Sequence, residues 1–505
     1  MSNNTRFWVI AIPIFFALPG VFYWGVITNF TFDLFYPDWL SFSYNYYFLS
    51  IINGHLDVPL EIIGAEGVAY KDKVYMYYGI LPAIARLFVY PLVNLEEVSV
   101  SRLCILGFNL VGVSSMQWVL LRQYKALKPE SNRLILLITV SVALWFGSAH
   151  FSNVQNGSLY QEPYAASLSL IAIYLSIFTN DIIFHKKNFV FRLKTYAAIA
   201  GLTLFARPNI AVFLYLQTGL MIVFAVYQDI LQRKVRRDDF KIVLKRFVSI
   251  GLLPITILLV AGCILLTINY LRFEDPFSLA KGGYGYYLLE GNSEKFCGFE
   301  KSGSFNYLRI IPHAIYYFLG DFESFKNLSA SFGLGFVRVG VPESRLIVAW
   351  IIPVIAFIIM MSKFMNLASI KIFKNFIVFS FLIVSLLSTM VMLSYGTIEY
   401  RYSADLWMPF GLALLWNYGW LIGSERRLQV LFDGLRKSMV LAFIIFFCFS
   451  SAIYTMSHHE LAYYAQMRRA GDYDINKNSF YPSPSTIELL QNPPDPKTFS
   501  PCETE

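Results

Sequence analysis

The chain predicts an all-α polytopic membrane protein, and three observations lead there. Hydrophobic residues make up 56% of its 505 positions and charged residues only 15%, a balance far more apolar than that of a soluble domain. Several apolar runs exceed the roughly 18 residues that mark a membrane-spanning helix. Its 41 lysines and arginines, against 33 acids, gather in short links between those runs, as cytoplasmic loops require. The net charge of +8 is therefore a topology signal, and its distribution argues against nucleic acid as a partner.

The first apolar run, residues 7–28, is long enough to span and has no small-residue cleavage site, so it reads as a membrane helix rather than a leader. Residues 29–99 form a first long outer loop. It is too polar to cross a bilayer, yet rich in aromatics and in acids: Asp33, Asp38, Asp57, Glu61, Glu66 and Asp72. Such a composition suits a membrane surface, where Tyr44, Tyr46, Tyr47 and Phe48 would form an interfacial belt. Within it, residues 80–93 read as an interfacial or re-entrant helix. Counting them as a span would place the basic link Arg122 to Arg133 on the wrong side.

Spans follow at 100–121, 134–151 and 165–180, the last two joined by a polar link, 152–164, on the same side as the first loop. The run 196–227 is interrupted by Arg207-Pro208-Asn209. Proline cannot continue the helical ladder, and an arginine at that depth must face protein or water. Two shorter helices meeting at Arg207 are expected. The most basic link, 229–246, is cytoplasmic, and a span at 248–270 leads into a large outer loop, 271–345. Four further spans, at 346–361, 376–395, 406–422 and 440–456, bring the expected total to about eleven. Residues 1–456 thus form one transmembrane domain with its N-terminus cytoplasmic, and 457–505 a polar, poorly ordered tail.

The five cysteines are scattered without a C-x-x-C pair, so they predict neither a disulfide framework nor a zinc site. No Walker loop, dinucleotide fingerprint or internal repeat occurs. Chemistry must then use the membrane domain and its outer loops. On the expected topology Asp33, Asp38, Glu162, Arg207, Arg272, Arg401, Tyr402 and Asp405 share the outer face. Carboxylates there can deprotonate an acceptor hydroxyl, and arginines can hold a phosphate.

Each residue also has a plainer reading. Asp33 and Asp38 could be solvated charges at a helix end, Glu162 a favourable charge at a helix start, and Arg207 half of a structural salt bridge. Arg401, Tyr402 and Asp405 could anchor a helix at the interface. His55 and His313 are lone histidines without metal-ligand spacing, better suited to structural hydrogen bonds.

Together these features resemble the type C (GT-C) glycosyltransferase superfamily, and most closely its bacterial mannosyl, arabinosyl and aminoarabinosyl transferases. The resemblance rests on the acidic first loop, the segment YMYYGILPAIARLFVYPL, Gln161-Glu162-Pro163, Ala206-Arg207-Pro208-Asn209 and the Arg401-Tyr402 to Asp405 patch. It implies a GT-C-like bundle and inverting transfer of a sugar from a polyprenyl-phosphate donor to an envelope glycan or lipid acceptor at the outer face of the plasma membrane. Asp33 or Asp38 would be the base, Asp38 being favoured because it opens an amphipathic stretch that would hold it over the membrane, with Glu162 assisting. Arg207 with Arg401 or Arg272 would bind the donor phosphate, and Tyr402, Asp405 and His55 would line the substrate site. A divalent metal is admitted but not required. A transporter or flippase of a lipid-linked glycan, or a polysaccharide polymerase or ligase, is the alternative.

Overall fold

The structure, a computed structural model, describes residues 3–127, 131–184, 189–232, 240–277, 303, 305–334, 346–365, 372–396, 402–423, 473–474 and 479–480. Among these residues seven helices are long and apolar enough to cross a membrane: Thr5–Ile27, Ser101–Lys125, Asn132–Asn153, Gln161–Ile182, Pro208–Leu231, Lys241–Phe273 and Phe376–Leu393. A shorter apolar helix covers Ile351–Lys363. The expected multi-pass, all-α architecture is observed. Among the described residues fewer than the expected eleven spans reach that length, and the described residues do not include every expected span. The run 196–227 divides at Arg207 into Phe189–Leu204 and Pro208–Gln232. The first of these has 16 residues, about 24 Å at 1.5 Å per residue and short of a hydrocarbon core of about 30 Å. The span expected at 440–456 lies outside the described residues, as does nearly all of the tail. Its described residues form an antiparallel pair, Tyr473–Asp474 with Ser479–Phe480.

Burial sorts the helices. Ser403–Ile422 is buried along most of its length and packs on Ile351–Met365, Ile372–Leu393, Gln161–Phe184 and Ser101–Lys125. Trp407 and Phe410 close on Trp350 with ring centroids 5.2 and 5.7 Å away. At the other extreme, the most apolar window of Lys241–Phe273 is only 22% buried, with Leu252, Leu253 and Leu259 more than half exposed. A helix apolar all round with one covered side faces lipid.

Residues 28–100 fold as a cap with its own apolar core: Leu40, Tyr44, Tyr47, Phe48, Ile63, Met76, Ala83, Leu95 and Val100, joined by Leu159. Its longest helix, Ser43–Ile52, is pinned where the Asn45 amide donates to the carbonyls of Leu95 and Val98. A hairpin pairs Val68–Tyr70 with Lys73–Tyr75. The stretch expected to be one interfacial helix is shorter: Leu81–Ala85, then a 3-10 turn, Arg86–Phe88. Its exposed face carries Leu87 and Phe88, with Leu92 just beyond.

Candidate active site

After Ile27 the backbone turns sharply. Asn29, Phe30, Phe32 and Leu40 all take positive φ, between 52° and 60°, a region that side chains bearing a Cβ rarely occupy. Such strain persists only where neighbours enforce it. Here the Thr28 hydroxyl donates to Trp24 O and accepts from Phe32 N, while the Trp24 indole donates to Phe32 O. The knot delivers Asp33 to an exposed position, its Oδ1 accepting from Phe35 N. Asp38, only five residues on, is buried.

Arg102 ties the two together. Its Nε and Nη2 donate to both oxygens of Asp38, at 2.6 and 3.1 Å, and its Nη1 donates to the main-chain carbonyl of Asp33 at 3.2 Å. Gly157 closes the far side. A Cβ at that position would lie 2.3 Å from Asp38 Oδ2 and 2.6 Å from Arg102 Cγ, so only glycine admits the pair. Next to it Leu159 N donates to Trp39 O.

Glu162 opens the Gln161–Phe184 helix, as expected, but its carboxylate is fully enclosed. Both oxygens accept from the Arg86 guanidinium, and Oε1 also accepts from the Ser101 hydroxyl. Arg86 further donates to Asn45 Oδ1 and Pro82 O. Every polar atom of the pair is engaged, which is what a charge pair away from water requires.

The helix break is locked from the cap side. Gly79 lies so close to the carbonyls of Phe205 and Ala206 that a Cβ would stand 2.3 Å from either oxygen, and Leu81 N donates to Phe205 O at 2.9 Å. Arg207, beyond the break, pairs with Asp405 at 2.8 Å and lies 3.6 Å above the centroid of the Tyr164 ring. Tyr402 faces Tyr164 at 6.2 Å. Arg272 closes the layer, donating to Met76 O and to the Tyr47 hydroxyl. Burial raises the Tyr47 phenol pKa, and the neighbouring Arg272 charge opposes that shift.

Asp33, Asp38, Glu162, Arg207, Arg272, Tyr402 and Asp405 thus stand in one connected layer between the cap and one end of the bundle. Arg401 lies outside the described residues. His55 stands apart, in a 510 Å³ groove with Asp57, Asp72, Lys73 and Glu96, none of which belongs to the layer. His313 is buried against Phe325. Among the described residues no group of three or more His, Cys, Asp or Glu side chains stands close enough to hold a metal ion.

Arg86, Arg102, Ser101 and Gly157 were not singled out by sequence. A signal existed for two of them. Arg86 sits inside an apolar segment and Arg102 opens a span, and a cation in either place demands a buried partner.

No family model matches the chain, and no curated protein matches it. Among solved structures it is similar to the archaeal oligosaccharyltransferase AglB from Archaeoglobus fulgidus, solved in complex with an inhibitory peptide and a dolichol-phosphate. The identity is 14%, the TM-score 0.45, and the alignment covers 98% of this chain and 59% of that one, so the chain spans less than two thirds of that protein's length.

Proposed function

We propose that the protein is a membrane glycosyltransferase of the GT-C type, moving a sugar from a polyprenyl-phosphate donor to an envelope glycan or lipid acceptor at the extracytoplasmic face of the plasma membrane. One observation carries the reading: acids and guanidinium groups from distant parts of the chain meet in a single layer at one end of a lipid-facing helical bundle. A substrate that is both lipid-anchored and anionic needs that combination.

Within the layer the groups divide by access. Asp33 is exposed and held over the rim by a strained loop, so it is the carboxylate available as base. Asp38, bound through Arg102, fixes that loop from below. Glu162 and Arg86 anchor the cap to the helices. Arg207, 13% exposed at its side chain, presents its guanidinium to a phosphate while Asp405 holds it in place. In the reaction, Asp33 takes the proton of the acceptor hydroxyl as its oxygen attacks the anomeric carbon. The bond from that carbon to the phosphate oxygen breaks, and the polyprenyl phosphate leaves with the electron pair. Attack opposite the leaving group inverts the centre.

The test is transfer by the purified protein in nanodiscs from polyprenyl-phosphate sugars to extracted envelope acceptors. Sugar transfer by the wild type and its loss in Asp33→Asn support the reading. Passage of an intact lipid-linked sugar across the bilayer without transfer would establish the flippase alternative instead. Reporter fusions at positions 237 and 302 check the topology, and signals from the same side would overturn it.

A further inference from the structure

Beside the ion-pair layer stands a carboxylate of a different kind. Glu66 ends a 3-10 turn that begins at Gly64, whose φ of +53° turns the chain ahead of the hairpin. Its Oε2 accepts from the Tyr78 hydroxyl at 2.7 Å and stands 3.1 Å from the Tyr77 hydroxyl, whose single proton is shared with the Tyr78 oxygen 2.7 Å away, and its Oε1 accepts from the hydroxyl of Tyr160. No ion pair to Glu66 forms among the described residues. Glu66 and all three tyrosines are partly exposed. The rings are close, Tyr77 to Tyr78 at 4.1 Å and Tyr78 to Tyr160 at 6.1 Å between centroids.

Position makes this cluster part of the rim. Tyr77 and Tyr78 run between Met76, whose carbonyl Arg272 binds, and Gly79, pressed on the helix break. Tyr160 lies between Leu159, tied to Trp39, and Glu162. The group is therefore held by the same contacts that hold Arg272 and the helix break at Arg207.

A carboxylate bound by neutral hydroxyls, and by no ion pair among the described residues, can exchange one phenol for another hydroxyl at little cost. The partly exposed rings beside it supply aromatic surface. A sugar ring needs both: its C–H face lies on an aromatic plane while its hydroxyls donate to an acceptor. We propose that Glu66, Tyr77, Tyr78 and Tyr160 form the subsite for the glycosyl group of the donor, selecting the sugar separately from its lipid phosphate. The assignment rests on the glycosyltransferase reading above.

Binding to purified protein in nanodiscs tests it, with bare polyprenyl phosphate and polyprenyl phosphate carrying a hexose or a pentose as probes. Native mass spectrometry reads each affinity. The wild type is expected to prefer at least one sugar-bearing lipid. Glu66→Gln and Tyr160→Phe should each cut that preference about 10- to 100-fold and leave the bare lipid within about twofold of wild type. Circular dichroism and size exclusion confirm that each variant is folded, and Tyr78→Phe serves where either is not. Retention of the preference in folded variants, or equal weakening of bare and sugar-bearing lipids, overturns the subsite. A wild type that binds none of the lipids removes the donor reading itself, and the subsite with it, a result unlike either of those.

Discussion

The Arg86–Glu162 and Arg207–Asp405 pairs are both guanidinium–carboxylate contacts in the same layer, yet they differ in freedom. Both side chains of the first are wholly enclosed and every oxygen is occupied. In the second, Asp405 is buried while Arg207 keeps 13% of its side chain exposed and one face against Tyr164. A sealed pair can only hold elements together, because breaking it strands a charge in low dielectric. A half-open pair can keep one partner as a fixed support and lend the other to a ligand. The same contrast separates Asp38 from Asp33 within five residues of chain.

The contrast can be broken most severely at the sealed pair. Arg86→Ala leaves Glu162 buried without a counter-ion and should destabilise the protein by about 3–5 kcal/mol, visible as a large drop in thermal midpoint in detergent. Replacing both residues by apolar ones should recover much of that loss. No recovery would mean that the pair does more than anchor the cap.

Asp33→Asn sharpens the comparison on the activity side. With a general base removed, transfer should fall about 10²- to 10⁴-fold while the melting point stays near wild type. If Asp38→Asn abolishes transfer and Asp33→Asn does not, the roles of the two aspartates are reversed.

Gly157→Ala should act through geometry alone. Its methyl group would force Asp38 and Arg102 apart, an overpacking cost of about 1–3 kcal/mol, and it should lower transfer through the displaced loop. A crystal or cryo-EM structure of the variant with the Asp38–Arg102 pair intact would count against that chain of cause.

Arg207→Lys keeps the charge but loses the planar fork. It should raise the apparent KM for the lipid-phosphate donor about tenfold or more, with a smaller change in kcat. An unchanged KM would confine Arg207 to a structural salt bridge.

The weakest expectation concerns the surface pair Lys71–Glu274, both more than half exposed. The hydrogen bonds from Lys71 and Tyr70 and the Lys71 charge depress the Glu274 pKa. Whatever stability this adds is therefore present above the ordinary carboxylate range and lost as pH falls through the depressed value. Solvent screening keeps it small. Glu274→Gln should barely move the melting point at pH 7, and a large shift would show that the hairpin docks on the long helix through this contact.

Membrane spans and the helix break at Arg207 could be read from the chain because both are local. An apolar run of sufficient length has no other stable home than lipid or a deep core, and at Arg207-Pro208 a missing ladder donor coincides with a charge that needs a polar setting. The need for a counter-ion was legible too at Arg207, and the same signal stood unread at Arg86 and Arg102. Which acid meets which base was not. The partners lie 76, 64 and 198 positions apart, and no periodicity carries information over such distances. Only the packing of the cap on the bundle decided that Glu162 would be sealed and Asp33 left open. Charge type is a property of the residue, whereas its access to water and to a second partner is set by the surfaces that close around it.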